Sequence, residues 1–254
     1  MSKINKKVLA LIPARMGSSR FPGKPMHKIN GIPMIEHVYR NVLQCKILSD
    51  VYVATCDKII FNHIISIGGK AIMTSKKHQR ATDRCGEALS KIEKKVKNSY
   101  DIIVMVQGDE PMTNKYMIED SLKPFYKFKN IEVVNLFSKF KNYDEFDNPD
   151  TIKVIRNKKN NAIFFGRKLN DKYLYHKQKN FVGKQVCIIP FTKKSLKKFI
   201  GLKPTNLEVV ESVDMWRFLE NNINVFMQDT KQKSYAVDHP KDVKKVSRFL
   251  PSKY

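Results

Sequence analysis

Apolar residues run almost unbroken from Val8 to Ile12, which reads as a parallel strand covered on both faces. A polar loop follows. Then Ile35, Val38, Tyr39, Val42 and Leu43 recur at the spacing of an amphipathic helix opened by Pro33. Val51 to Ala54 is a second strand, a helix passes through Ile60, His63 and Ile64, and a short strand lies around Ile72. A further helix reaches about Val96, and Asp101 to Val106 is another buried strand. This β-α-β-α-β order calls for right-handed crossovers and a mostly parallel sheet with ligand loops at one edge. From about residue 132 to 190 the segments shorten, become strand-like and carry many Asn and Lys, with no clear helix. A β-rich insertion, a substrate lid and a dimer arm all fit that stretch. Leu207 to Leu219 is helical again, Val225 to Met227 is a short strand, and Pro240 opens a last helix. With no repeat or linker, residues 1–254 read as a single α/β domain.

Composition changes this picture little. Hydrophobic content is 42% of 254 residues, enough for a full core. No apolar run reaches about 18 residues, so no membrane span is expected, and the opening residues do not read as a signal peptide. Cys45, Cys56, Cys85 and Cys187 show no paired spacing, which suits free thiols in a reducing, cytoplasmic setting. The net charge of +24 raises the question of nucleic acid. The cations are spread along the chain, however, and the densest cluster, Lys193, Lys194, Lys197 and Lys198, falls at helical spacing around Leu196 and Phe199. That is the pattern of a solvated helix face, so no nucleic-acid partner is expected.

The candidate chemistry begins right after the first strand. Pro13, Ala14, Arg15, Gly17, Arg20, Gly23 and Lys24 form a flexible loop with three cations and many backbone donors. At the carboxyl end of a central strand this suits a polyphosphate. It is neither a Walker A loop, since Pro25 follows Lys24, nor a dinucleotide fingerprint. Two carboxylates accompany it: Asp109 in Gln107-Gly108-Asp109-Glu110-Pro111, after a strand, and Asp238, just before the Pro240 helix. Hard oxygen donors on such loops suit Mg²⁺, whose shell phosphate oxygens complete. Together these parts describe nucleotidyl transfer.

The loop, Gly31-Ile32-Pro33-Met34-Ile35, the Gln107–Pro111 stretch, His78-Gln79 with Thr82-Asp83-Arg84, Asn148-Pro149 with Lys153-Val154, and Val237-Asp238-His239-Pro240 resemble the CMP-Kdo synthetase (3-deoxy-manno-octulosonate cytidylyltransferase) family. The resemblance covers most of the chain in order. It implies a Rossmann-like nucleotide-diphospho-sugar transferase fold, a homodimer through the middle region, and CTP with Mg²⁺. The anomeric hydroxyl of a 2-keto-3-deoxy sugar acid would attack the α-phosphorus, for lipopolysaccharide or capsule synthesis. By this likeness Arg15, Arg20 and Lys24 match the triphosphate loop, Thr82 and Arg84 the cytidine pocket, and Gln107 the nucleotide–sugar junction. Asp109 and Asp238 fall at the metal, and Arg167, Gln185, Glu208 and Glu211 on the sugar side. The pattern departs there, with Gln185 and Ile189 where the family carries His and Tyr, and again around Asp214-Met215. Kdo or a related, modified acid sugar is therefore the expected acceptor. Transfer to a sugar 1-phosphate or other phosphorylated acceptor is the alternative enzyme reading, and a basic nucleic-acid-binding protein the alternative of another class.

Overall fold

The structure, a computed structural model, describes residues 6–18, 20–169, 171–177 and 180–254. Ser19 of the loop and the opening five residues lie outside them. From the amino end come β1 (Val8–Ala14), the hairpin strands β2 (Lys28–Ile29) and β3 (Ile32–Pro33), α1 (Met34–Leu43), β4 (Asp50–Thr55) and α2 (Lys58–Ser66). Then follow β5 (Ala71–Met73), α3 (Ala81–Val96), β6 (Ile102–Val106) and α4 (Lys115–Lys127). The middle holds β7 (Val134–Ser138), α5 (Tyr143–Asp147), β8 (Lys153–Arg156), β9 (Ala162–Gly166), α6 (Lys172–Lys177) and β10 (Val182–Val186). The chain closes with β11 (Ile188–Thr192), α7 (Lys193–Gly201), α8 (Asn206–Glu211), α9 (Met215–Leu219), β12 (Phe226–Asp229) and α10 (Pro240–Ser247).

The fold is mixed α/β around a mostly parallel sheet in the order β11-β6-β1-β4-β5, where only β11 runs antiparallel. All seven residues of β1 are buried because both faces are covered. Leu9 and Leu11 pack towards Cys85, Leu89 and Ile92 of α3 and Leu196 and Phe199 of α7. Val8, Ala10 and Ile12 pack towards Ile35, Val38 and Val42 of α1 and Ile118 of α4. Burying each such aliphatic contributes about 1.5–3 kcal/mol relative to leaving it in water, which is why the strand is apolar at every position.

The middle region is β-rich as expected, and its strands form a second sheet in the order β12-β7-β10-β8-β9. One residue, Cys187, separates β10 in that sheet from β11 in the first. Three departures from the sequence reading stand out. The middle region does contain short helices, α5 and α6; Asn142 caps the first, its side chain accepting from the Glu145 amide at 3.1 Å. Helix α4 escaped the pattern, with Pro124 inside it and Asn114 capping its start. The expected helix from 207 to 219 is broken in two at Ser212, which is left-handed at φ 54°. Among the described residues no helix is long and apolar enough to cross a membrane.

Candidate active site

Three segments from distant parts of the chain meet at the carboxyl edge of the first sheet. The loop after β1 is tied down from both sides. The Met16 amide donates to Asp57 Oδ2 at 2.8 Å, at the end of β4, and the Met16 carbonyl accepts from the Gly23 amide at 3.1 Å. Phe21 is buried in a small cluster with Ile29, Met34, Val237, Val246 and Leu250. That cluster packs the loop against α10 and the Asp238 segment. The loop after β6 approaches β1 closely: a Cβ on Gly108 would come 3.0 Å from the Pro13 carbonyl oxygen, so a methyl group there would require the backbone to shift slightly.

Two cations of this rim, Lys24 and Arg20, are paired with its carboxylates. Lys24, buried, donates through Nζ to Asp109 Oδ2 at 2.7 Å and to the Val237 carbonyl at 2.8 Å. It thus links the Asp109 loop to the residue before Asp238, and the Val237 amide also donates to the Asp109 carbonyl at 3.0 Å. Arg20 donates to Asp238 Oδ1 at 2.7 Å and, through its other terminal nitrogen, to Asp150. Burial raises the Asp238 carboxyl, and the charge of Asp109 raises it further against the pull of Arg20 and Lys24. Burial also pushes Asp150 up, but the His239 and Arg20 contacts outweigh it and hold this carboxyl below its usual range. The Asp242 carboxylate accepts from the Asp238 and His239 amides at 3.1 and 2.9 Å and so shapes the turn into α10.

Two clefts adjoin here. One, about 360 Å³, is lined by Pro13, Ala14, Arg15, Arg20, Lys24 and Arg84 among others. The other, about 600 Å³, opens between the two sheets and is lined by Asp150, Arg167, Lys184, Gln185, Asp238 and His239 among others. Arg20, Gln107, Asp109, Ser212 and Asp214 line both. Asp109 and Asp238 therefore offer two hard oxygen donors close to this junction. Among the described residues no group of three or more His, Cys, Asp or Glu could hold a metal ion alone. The donor set fits an ion such as Mg²⁺ that takes few protein carboxylates and fills its shell from phosphates.

On the wider side Arg167 is held firmly. Its amide donates to Glu211 Oε2 at 2.9 Å, Nε to the Glu211 carbonyl at 3.2 Å, and Nη1 to the Asp150 carbonyl at 2.9 Å. Lys153, fully buried in β8, donates to the carbonyls of Asn148 and Arg167 at 2.7 and 2.6 Å, and burial lowers its pKa to about 8. Gln185 Nε2 donates to Asn135 Oδ1 at 2.5 Å. Beneath the cleft Glu110, raised by burial, accepts from the Ser234 hydroxyl.

Most of the residues singled out in the sequence line one cleft or both, but three are placed elsewhere. Thr82 is buried and touches Asp214 instead, its hydroxyl and amide donating to Oδ2 at 2.7 and 3.0 Å. Glu208 is fully buried and bound by Arg217, whose Nε and Nη2 donate to it at 2.7 and 2.6 Å. A carboxylate so placed is a core ion pair and not a cleft contact. Glu211 acts on Arg167 from behind. Sequence reasoning passed over Asp150, Lys184, Asp214 and His239, all of which line the wider cleft. The signal for two of them was present, since Asp150 follows Asn148-Pro149 and His239 follows Asp238 in the motifs already noted.

A family model described as cytidylyltransferase matches residues 9–235. The 3-deoxy-manno-octulosonate cytidylyltransferase of Thermodesulfovibrio yellowstonii is 37% identical, the match covering 95% of this chain and 97% of that one. The protein of the same name from Parabacteroides distasonis is 35% identical over 97% and 99%. Among solved structures, CMP:2-keto-3-deoxy-manno-octonic acid synthetase complexed with CTP superposes with a TM-score of 0.84 at 33% identity, covering 95% of this chain and 97% of that chain. The 4-diphosphocytidyl-2C-methyl-D-erythritol synthase of Anaerococcus prevotii, at 12% identity, covers 96% of each chain with a TM-score of 0.63 and shares the fold.

Proposed function

The chain belongs to the cytidylyltransferase family, and within it to the CMP-Kdo synthetases, and from that premise we propose that it activates a 2-keto-3-deoxy sugar acid, Kdo or a modified relative, with CTP to give the CMP-sugar and pyrophosphate. The single observation that carries this reading is the junction itself: Lys24 on Asp109 and Arg20 on Asp238, where a cation-lined cleft meets a wider one.

In this reading the triphosphate lies in the smaller cleft on Arg15, Arg20 and Lys24, beside the backbone of Pro13 and Ala14. Arg84 serves the cytidine, with its guanidinium braced by the Thr74 hydroxyl at 2.5 Å and the Ser75 carbonyl at 3.2 Å. Thr82 contributes by fixing Asp214. Asp109 and Asp238 would hold Mg²⁺, which when bound supplies charge neutralisation at the α-phosphate. The acid sugar lies in the wider cleft with its carboxylate towards Arg167 and its hydroxyls towards Gln185, while Gln107 lines both sides. Its anomeric hydroxyl attacks the α-phosphorus and pyrophosphate departs, its charge met by the loop cations. The chain's contribution is positioning and a fixed field more than covalent chemistry.

The same reading makes the whole chain one nucleotidyltransferase domain, cytoplasmic and homodimeric, feeding surface-glycan synthesis. The test is pyrophosphate release with CTP, Mg²⁺ and a panel of acceptors. Release is expected with 2-keto-3-deoxy acids and only when all three components are present. Asp109→Ala and Asp238→Ala should each lower the rate by about 10²–10³-fold, the cost of one lost preorganised charge. Turnover confined to phosphorylated acceptors would overturn the acceptor class, and full activity in either variant would remove that residue from the site.

A further inference from the structure

Arg20 is shared between two carboxylates from distant parts of the chain, Asp150 and Asp238, which both line the wider cleft. One terminal nitrogen donates to Asp238 Oδ1 at 2.7 Å and the other to Asp150 Oδ1. A guanidinium is a planar fork and can satisfy both at once. Asp150 itself is anchored by its neighbours. Its amide donates to Asn148 Oδ1 at 2.9 Å, its carbonyl accepts from Arg167 Nη1 at 2.9 Å, and its second carboxylate oxygen meets His239 Nε2 at 3.0 Å. Lys153 holds the Asn148 carbonyl beneath it. Asp150 therefore marks a set position to which the exposed, long Arg20 side chain is drawn.

We propose that Asp150 is a positioning residue that draws Arg20 partly off Asp238, leaving the Asp238 carboxylate available to a divalent ion while the guanidinium stays within the triphosphate cleft. This rests on the reading of Asp238 as a metal carboxylate given above. Without the Asp150 charge, Arg20 has Asp238 as its one remaining carboxylate and competes with the ion for it. The same backbone carries Arg167, so the residue also ties the nucleotide side of the junction to the acceptor side.

Mn²⁺ binding, followed by the electron paramagnetic resonance signal of the free ion at CTP concentrations saturating for each protein, tests this without relying on turnover. Asp150→Asn should weaken Mn²⁺ binding by about fivefold or more, the lower end of a typical coupling between sites. In an Arg20→Gln background the competitor is gone, and adding Asp150→Asn should change the affinity by less than about twofold. An effect of equal size in both backgrounds, or none where Arg20 is present, overturns the inference. Failure of the unsubstituted protein to bind Mn²⁺ with CTP would instead sink the functional reading on which it rests. Should Asp150→Asn not fold, Asp150→Ser carries the same comparison.

Discussion

Arg217 is 1% exposed, and its guanidinium lies between Glu208, fully buried, and Asp83, with the Phe199 ring centroid 4.0 Å from its central carbon. Breaking such a pair from one side strands a charge away from water, which typically costs about 3–5 kcal/mol. Arg217→Met should therefore lower the unfolding free energy measured by urea titration by that much, and adding Glu208→Leu should recover a large part of the loss. A midpoint unmoved by Arg217→Met would mean that water reaches Glu208. The neighbouring Thr82, Asp83 and Arg84 show why residue roles are hard to read from spacing. Three consecutive positions on α3 meet Asp214, Arg217 and the Thr74–Ser75 turn respectively. Only the last of the three lines the smaller cleft.

Among the elements, β10 contributes Lys184 and Gln185 to the lining of the wider cleft. It pairs with β7, and at Gly183 the strands are so close that a Cβ would sit 2.5 Å from Phe137 Cζ and 2.6 Å from the Ser138 carbonyl oxygen. The backbone oxygen has little freedom to move. Gly183→Ala is expected to cost about 1–3 kcal/mol as overpacking and to raise the KM for the acid sugar more than that for CTP, since the shift falls on the acceptor side. Unfolding measurements and steady-state kinetics check both parts; an unchanged stability and unchanged KM values would show that β10 yields freely. β1 and β6 were legible in the chain because they are buried on both faces and apolar throughout. The second sheet was legible only as a strand-like stretch and the short strand β12. Its strands are short, and β8 carries Lys153 at a fully buried position that reads as surface until the carbonyls of Asn148 and Arg167 are seen to satisfy it.

Across the whole molecule the charge of +24 acts as a diffuse field. A field of that sign favours encounter with anions such as a triphosphate. Binding to duplex DNA is expected to be weak, indifferent to sequence and largely lost between about 50 and 200 mM salt. Tight, sequence-selective binding that survives such salt would restore the nucleic-acid reading. The two sheets are joined through Cys187 and by a bridge between Val133 and Phe191, beside which the Thr192 amide donates to the Glu132 carbonyl at 2.8 Å. The wider cleft is lined by residues of both, among them Met105 and Ile189 of the first sheet and Lys184 and Gln185 of the second, and α10 is brought back to the first loop by the Phe21 cluster.

The alternation of β1, α1, β4, α2, β5, α3 and β6, the cation-bearing loop and the placing of one aspartate at a strand end and another at a helix start are all local features. Short-range periodicity and turn chemistry encode them, and the sequence alone determined them. Which cation meets which carboxylate is a different kind of fact. Lys24 reaches Asp109 across 85 positions, and Arg20 reaches Asp150 and Asp238 across 130 and 218. Those partners depend on crossover geometry and on the packing of Phe21 against α10, which no local pattern records. The assembled junction, the withdrawal of Thr82 and Glu208 from it and the arrival of Asp150 were therefore decided by the tertiary structure.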